Sequence, residues 1–351
     1  MNFDFVGNAV LAGAHSMYGQ MLSPDDYRNL LSSASVSDAA AYLKLNTSYA
    51  DLFEKALPGT LNRIQLEDLL RKKLFLRYLN LCKYRKGKAQ SFTDFFILKN
   101  DMEQVVAKLH SLLGKTSDFF LSIPGFFISR SELDLIALAN SKTYDELITV
   151  LSENESYSKL LAPFRGASLN NQTALDIELA FFRSYFEKLY SLAKKELATT
   201  DFKIMADLLS ASSDLEALKY IFRLKSLGIG DEALYASIFP NDLSRLSKAK
   251  IKSLASCRIE DFKACVIQGP YAVIFEGRPD QSFEQAAETH LYTLHKKHFR
   301  FTANPHISMY CFIQLSFWEI RDITHVIEGL RYGLDGNKIK DLLLTYKQNY
   351  N

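Results

Sequence analysis

Asp214-Leu215-Glu216-Ala217-Leu218-Lys219-Tyr220-Ile221-Phe222-Arg223 carries a helical pattern that the chain repeats. An acid is followed by an aliphatic residue, a second aliphatic at +4 and an apolar residue at +8, which places them on one face of a helix. The pattern recurs at Asp101-Met102, Val105 and Leu109, and at Glu319-Ile320, Ile323 and Ile327, with spacings of 113 and 105 residues. A second landmark keeps step with it. Tyr49 sits in Thr47-Ser48-Tyr49-Ala50-Asp51-Leu52, Tyr157 in Ser156-Tyr157-Ser158-Lys159-Leu160, and Tyr271 in Pro270-Tyr271-Ala272-Val273-Ile274, spaced by 108 and 114 residues. Two independent landmarks with one period of roughly 110 residues predict three related units, over residues 1–115, 116–227 and 228–351. A triplicated chain points to a built shape rather than to a single catalytic cleft.

Composition agrees with a helical globular protein. Gly (15) and Pro (8) are scarce, hydrophobic residues make up 48% and charged ones 23% of the 351 residues, and this favours helices over strands. A net charge of +2 is too small for a broad nucleic-acid face. The four cysteines form no C-x-x-C pair, so zinc ribbons and thioredoxin-like sites are unsupported and a reducing compartment is expected. The first residues lack the basic and apolar regions of a signal peptide. The uncharged run Phe301–Trp318 holds Asn304, Pro305, His306, Ser308, Gln314 and Ser316, which predicts a buried helix rather than a membrane span.

Helix signals punctuate the chain throughout. Ser23-Pro24-Asp25-Asp26 carries an N-cap, a first-turn proline and first-turn acids. Long helices are predicted over 61–84, 92–113, 175–197, 202–227, 283–297 and 307–330. Shorter ones are expected from Ser37, at Ser131-Glu132-Leu133, and over 141–151, 242–255, 260–268 and 337–346. With no convincing alternating strand, the fold class is all-α, with helix pairs as the unit.

Catalytic motifs are weak. Gly114-Lys115-Thr116 resembles the end of a phosphate-binding loop, but Leu109 stands where that motif requires Gly. His295 and His298 share a helix face without an acid or Cys to complete a metal set. The repeated acids Asp101, Asp214 and Glu319 are the residues to watch. A carboxylate on an apolar helical stripe must be paired or hydrogen-bonded. Lys108, Arg223, Lys225 and Arg331 lie downstream of them. Either interhelical ion pairs or contacts to a partner docked on a pseudo-symmetry axis would satisfy the acids. No catalytic residue, cofactor or metal is expected.

Longer stretches carry a resemblance. Phe317-Trp318-Glu319-Ile320-Arg321-Asp322-Ile323, with Gly329, Gly333 and Leu334 beyond it, is similar to the closing E-x-R-N-I and G-x-x-x-G-L segments of the C subunit of V/A-type ATPases, called subunit d in eukaryotes. Asp214–Lys225 resembles that family's D-x-x-N-[IL]-x-x-x-x-R-x-K helix, Ser122-Ile123-Pro124-Gly125 its L-I-P-G turn, and Leu30–Leu52 its opening segment. The chain departs from the family at Gln104, Ala217 and Asp322, where relatives often carry Asn, and at Ser316-Phe317. The resemblance implies three helical domains in a funnel around a pseudo-threefold axis. It implies a non-catalytic rotor subunit, one copy per complex and a monomer alone, held at the cytoplasmic face of the membrane through partners. Those partners are the central-shaft subunits and the membrane rotor ring, with no nucleic acid. The rival expectation from the repeats alone is an all-α scaffold that binds a protein partner outside any ATPase.

Overall fold

The computed structural model describes residues 5–53, 63–83, 90–114, 125–228, 243–276 and 281–350. All regular structure among them is helical. In chain order the α-helices are α1 Phe5–Tyr18, α2 Pro24–Leu31, α3 Val36–Asn46, α4 Arg63–Cys82, α5 Phe95–Leu112, α6 Gly125–Arg130, α7 Leu135–Asn140, α8 Tyr144–Ser152, α9 Glu155–Leu161, α10 Asn171–Glu196, α11 Thr199–Ser226, α12 Lys248–Ser256, α13 Phe262–Ile267, α14 Phe283–Phe301, α15 Pro305–Arg331, α16 Gly336–Lys340 and α17 Leu344–Tyr350. The expected turn at Pro58-Gly59, the pair Lys115-Thr116, Pro124 and the helix start at Asp242 lie outside the described residues.

Contacts group the chain into two compact units, Met1–Ala89 with Gln285–Asn351, and Gln90–Glu284. In the first unit α15 is the hub, packed against α1, α3, α4, α16 and α17. It starts where Asn304 accepts from the His306 and Ile307 amides with Pro305 in the first turn, as an N-cap should. From Ile307 to Ile313 every residue is buried, so the helix is core on all sides there. Tyr292 and His295 of α14 set their rings against Trp318 at 5.5 and 5.4 Å. The uncharged run is therefore a core helix, and no helix among the described residues is long and apolar enough to cross a membrane.

In the second unit α10 packs on α5, α9 and α11, and α7 packs on α5 and α8. Val105 and Leu109 of α5 join Leu135, Leu138, Leu147, Leu151, Tyr157, Leu161, Ile177 and Phe181 in one apolar cluster. Each such side chain contributes about 1.5–3 kcal/mol on burial. Phe222, Phe262 and Phe283 form a second aromatic knot, with ring centroids 5.2–5.8 Å apart.

Two local expectations change. Ser131-Glu132-Leu133 is not helical, because the Ser131 hydroxyl and the Glu132 amide are taken by Asp101; the helix starts at Leu135, capped by Asp134. The closing helix over 337–346 is two helices, because Asp322 captures the amides of Leu344, Thr345 and Tyr346 and opens a new helix there.

Candidate functional site

The three repeated acids sit in helices α5, α11 and α15, and all are buried: Asp101 and Glu319 at 0% exposure, Asp214 at 2%. Asp101 and Asp214 are each fastened to a segment that opens the following short helices. Asp101 accepts from the Ser131 hydroxyl at 2.8 Å and the Glu132 amide at 3.2 Å. Asp214 accepts from the Ser244 hydroxyl at 2.5 Å and the Arg245 amide at 2.8 Å. In both places the serine oxygen also accepts from the amide two residues on, Leu133 or Leu246, at 3.0 Å. The serine thus turns the chain and binds the acid together, a local hydroxyl turn that competes with helix.

The repeated tyrosines complete these clusters. Tyr271 donates to Asp214 at 2.7 Å. Tyr157 stands beside Asp101 and Glu132, whose negative charges, after burial itself, hold its phenol above the ordinary range. Tyr49 donates to Glu319 at 2.8 Å. Burial pushes all three phenols up, so each stays protonated and serves as a donor. The two repeated landmarks therefore meet: Tyr271 and Tyr49 donate directly to their acids, and Tyr157 lies beside Asp101.

The third cluster differs in chemistry. Glu319 takes the Leu22 amide at 2.5 Å, but no serine. In its place the Arg77 guanidinium of α4 donates at 2.7 Å, with side chains 3% and 1% exposed. The Arg77 guanidinium also lies 5.4 Å over the Tyr49 ring, and Lys73, paired with Asp51 at 2.8 Å, lies 5.6 Å over it. Here the clasp is a buried ion pair capped by an aromatic ring.

Electrostatics separates the clusters further. Burial pushes Asp101 up to about 7 against the pull of its Ser131 and Glu132 bonds, and raises Asp214 in the same way. Asp322, three residues after Glu319, is also pushed up to about 7 by burial, against three main-chain donors.

The downstream cations do not pair with the acids. Lys108 and Lys225 donate instead to the carbonyls of Ala139 and Ala255, near the C-terminal ends of α7 and α12. There a cation neutralises the helix dipole. Arg223 faces Glu284 at 3.3 Å with its side chain 65% exposed. Arg331 lies exposed with its guanidinium 5.6 Å over the Tyr332 ring. Arg77, Asp322 and the two serines were missed as site residues. Only the serines left a signal: both follow their acid by 30 residues.

A third repeated landmark closes each acid helix. Gly114, Gly228 and Gly333 take φ of 70°, 72° and 64° just past α5, α11 and α15. At the last, Leu334 donates to the Gly329 carbonyl and Gly333 to the Leu330 carbonyl. This is the paired 6→1 and 5→2 closure that favours glycine at the left-handed position.

Chemically, these carboxylates are buried and already held by internal donors, which suits fastening rather than turnover. Among the described residues no group of three or more His, Cys, Asp or Glu is placed to hold a metal. The sequence model of the family described as ATP synthase (C/AC39) subunit matches residues 10–342. No curated protein matches the chain at a significant level.

Proposed function

The chain belongs to the ATP synthase (C/AC39) subunit family, and from that premise we propose that it is the non-catalytic coupling subunit of a V/A-type ion-translocating ATPase, joining the central shaft to the membrane rotor ring. The family match across residues 10–342 carries this reading.

The packing supports it physically. A coupler must transmit torque without yielding, and close-packed interiors resist deformation. Clasps that tie a long helix to the next short helices at Asp101 and Asp214, and to the first segments of the chain at Glu319, suit that demand. Asp101, Asp214 and Glu319 are assigned to inter-helix pairing, since all are buried and internally bonded. Exposed Arg223 and Arg331 are the cations we assign to the partner interface, where charged rims set register. The three repeats over 1–115, 116–227 and 228–351 are proposed to be the three similar domains of a pseudo-threefold funnel. The subunit is proposed to bind no cofactor and to reach the cytoplasmic face of the membrane through its partners.

The test is affinity capture of the tagged chain from gently solubilised native membranes. Recovery of the nucleotide-hydrolysing subunits, shaft subunits and a small hydrophobic ring protein is expected. Recovery of the chain alone, at a salt concentration where such complexes hold together, would overturn the coupler and favour the scaffold outside any ATPase. A thermal shift of the purified chain with magnesium and nucleotide would contradict the assignment of no nucleotide site.

A further inference from the structure

All four cysteines are free thiols. Cys82 and Cys311 are buried, whereas Cys257 and Cys265 are both partly exposed. Their side chains are neighbours, close enough for the Cys265 thiol to act on that of Cys257. Cys257 caps α12, its amide on the Ser253 carbonyl at 3.0 Å. The chain then makes one tight turn over Ile259–Asp261 and enters α13, which carries Cys265 and packs on α12. The Cys257 thiol donates to the Leu254 carbonyl at 3.3 Å. Lys225 reaches the same end of α12, on the Ala255 carbonyl. Among the described residues no third ligand turns the pair into a metal set.

We propose that Cys257 and Cys265 are a reversible oxidation site that closes an intrachain disulfide between α12 and α13. The oxidant class is hydrogen peroxide. The Cys265 sulfur attacks one peroxide oxygen, the O–O bond breaks, and a sulfenic acid and one water form. The Cys257 sulfur then attacks the sulfenic sulfur, loses its proton and expels the hydroxyl as a second water. Two thiols are oxidised by two electrons and one peroxide is reduced to two waters. Partly exposed neighbouring thiols are an arrangement in which sulfenic acid is resolved to a disulfide before further oxidation, and in a reducing compartment such bridges are transient and redox-sensing. Burial pushes the Cys257 thiol up to about 11. The resolving step therefore accelerates as pH rises from 7 to 9, because the thiolate is the nucleophile. The bridge lies between Ser244 and Tyr271, the two side chains that hold Asp214, so closure stiffens the segment that clasps α11.

The experiment treats the full-length chain with equimolar peroxide, denatures and alkylates it, and measures intact and peptide masses. The expected result is loss of two hydrogens, alkylation of two of the four cysteines, and a single linked peptide joining 257 to 265, all reversed by a phosphine reductant. Cys257→Ser is expected to remain folded by circular dichroism, to lose the bridge and to accumulate a Cys265 sulfenic acid that dimedone traps. Dimedone trapping of the same adduct in the unsubstituted chain, a link through Cys82 or Cys311, or four alkylated cysteines after treatment would each overturn the proposal.

Discussion

Arg77→Met isolates the one clasp that is an ion pair. The Arg77 Nη1 to Glu319 Oε2 contact is 2.7 Å, with side chains 3% and 1% exposed. Removing the guanidinium leaves the Glu319 charge buried with only the Leu22 amide and the Tyr49 hydroxyl as donors. Breaking one side of such a pair costs about 3–5 kcal/mol, against a total stability of about 5–15 kcal/mol for a domain. Arg183→Met is the control. Its pair with Glu187 is 2.8 Å long, 0.1 Å more than the buried one, but 47% and 48% exposed, and it should cost under about 0.5 kcal/mol. Distance is nearly matched, so the contrast measures burial. The single tryptophan, Trp318, is 6% exposed and adjoins Glu319, so its fluorescence during urea unfolding reports the unit that holds the clasp. With a slope of about 2–3 kcal/mol per molar urea, Arg77→Met should lower the midpoint by roughly 1–2.5 M. The double variant Arg77→Met with Glu319→Gln removes both charges and should recover more than half of the loss. A shift for Arg77→Met no larger than that of Arg183→Met would refute the reasoning, and so would a double variant no better than the single one.

Other outcomes follow from the same geometry. Asp101 and Asp322, pushed up to about 7 in the fold, take up protons on folding between their unfolded value near 4 and 7. Stability should therefore rise as pH falls from 8 to 5 and be lost as pH rises through 7, by up to about 1.4 kcal/mol per pH unit for each group; the Asp101→Asn, Asp322→Asn chain should show a flatter profile in pH-dependent melts. Asp322→Ala removes the acceptor of three amides at the start of α17 and should cost about 1–2 kcal/mol, read as lost hydrogen-exchange protection at 344–346. Gly329→Ala would put a Cβ 2.4 Å from the Ile339 Cγ1; overpacking of about 1–3 kcal/mol is expected, and Ile339→Ala in the same chain should relieve part of it. Tyr271→Phe removes a 2.7 Å bond to a buried carboxylate and should cost about 1.5–3 kcal/mol, more than Tyr49→Phe, whose Glu319 keeps Arg77; equal melting losses would contradict this ranking.

The elements were legible where the signal is local. Ser23-Pro24-Asp25-Asp26 forms the predicted cap, and the structure adds a full capping box through Asp26. Gly114 and Gly228 end their helices as glycines should. The signal fails where a group from afar supplies the cap. Nothing near Leu344 announces a helix start, because its acceptor is Asp322, 22 residues upstream. Ser131 sits in a stretch that reads as helical, but its hydroxyl is committed to a carboxylate 30 residues back. The acids and tyrosines were visible as repeats, yet their partnership was not. Tyr157 and Tyr271 follow their acids by 56 and 57 residues and Tyr49 precedes Glu319 by 270, and no pattern of period 3.6 reaches that far. The ion pairs expected with Lys108 and Lys225 gave way to helix ends, where a lysine reaches an orphan carbonyl and leaves the acid to neutral donors.

The departure of the third clasp from the other two has a physical reason in chain connectivity. Asp214 meets Tyr271 across 57 residues, whereas Glu319 meets Tyr49 across 270. The last acid helix thus fastens onto the first tyrosine segment, and the contact closes a loop of 270 residues. Relative to an unfolded chain, closing 270 rather than 57 residues costs about 1.4 kcal/mol more, at roughly 0.6 kcal/mol for each doubling of length. The Ser–Asp clasps use neutral donors on a short loop. The Glu–Arg clasp uses a charged donor, whose hydrogen bond is worth about 1.5–3 kcal/mol against about 1 for a neutral one. That difference is of the size needed to offset the longer closure. It accounts for the substitution of a guanidinium for a hydroxyl at the one clasp that ties the two ends of the chain together.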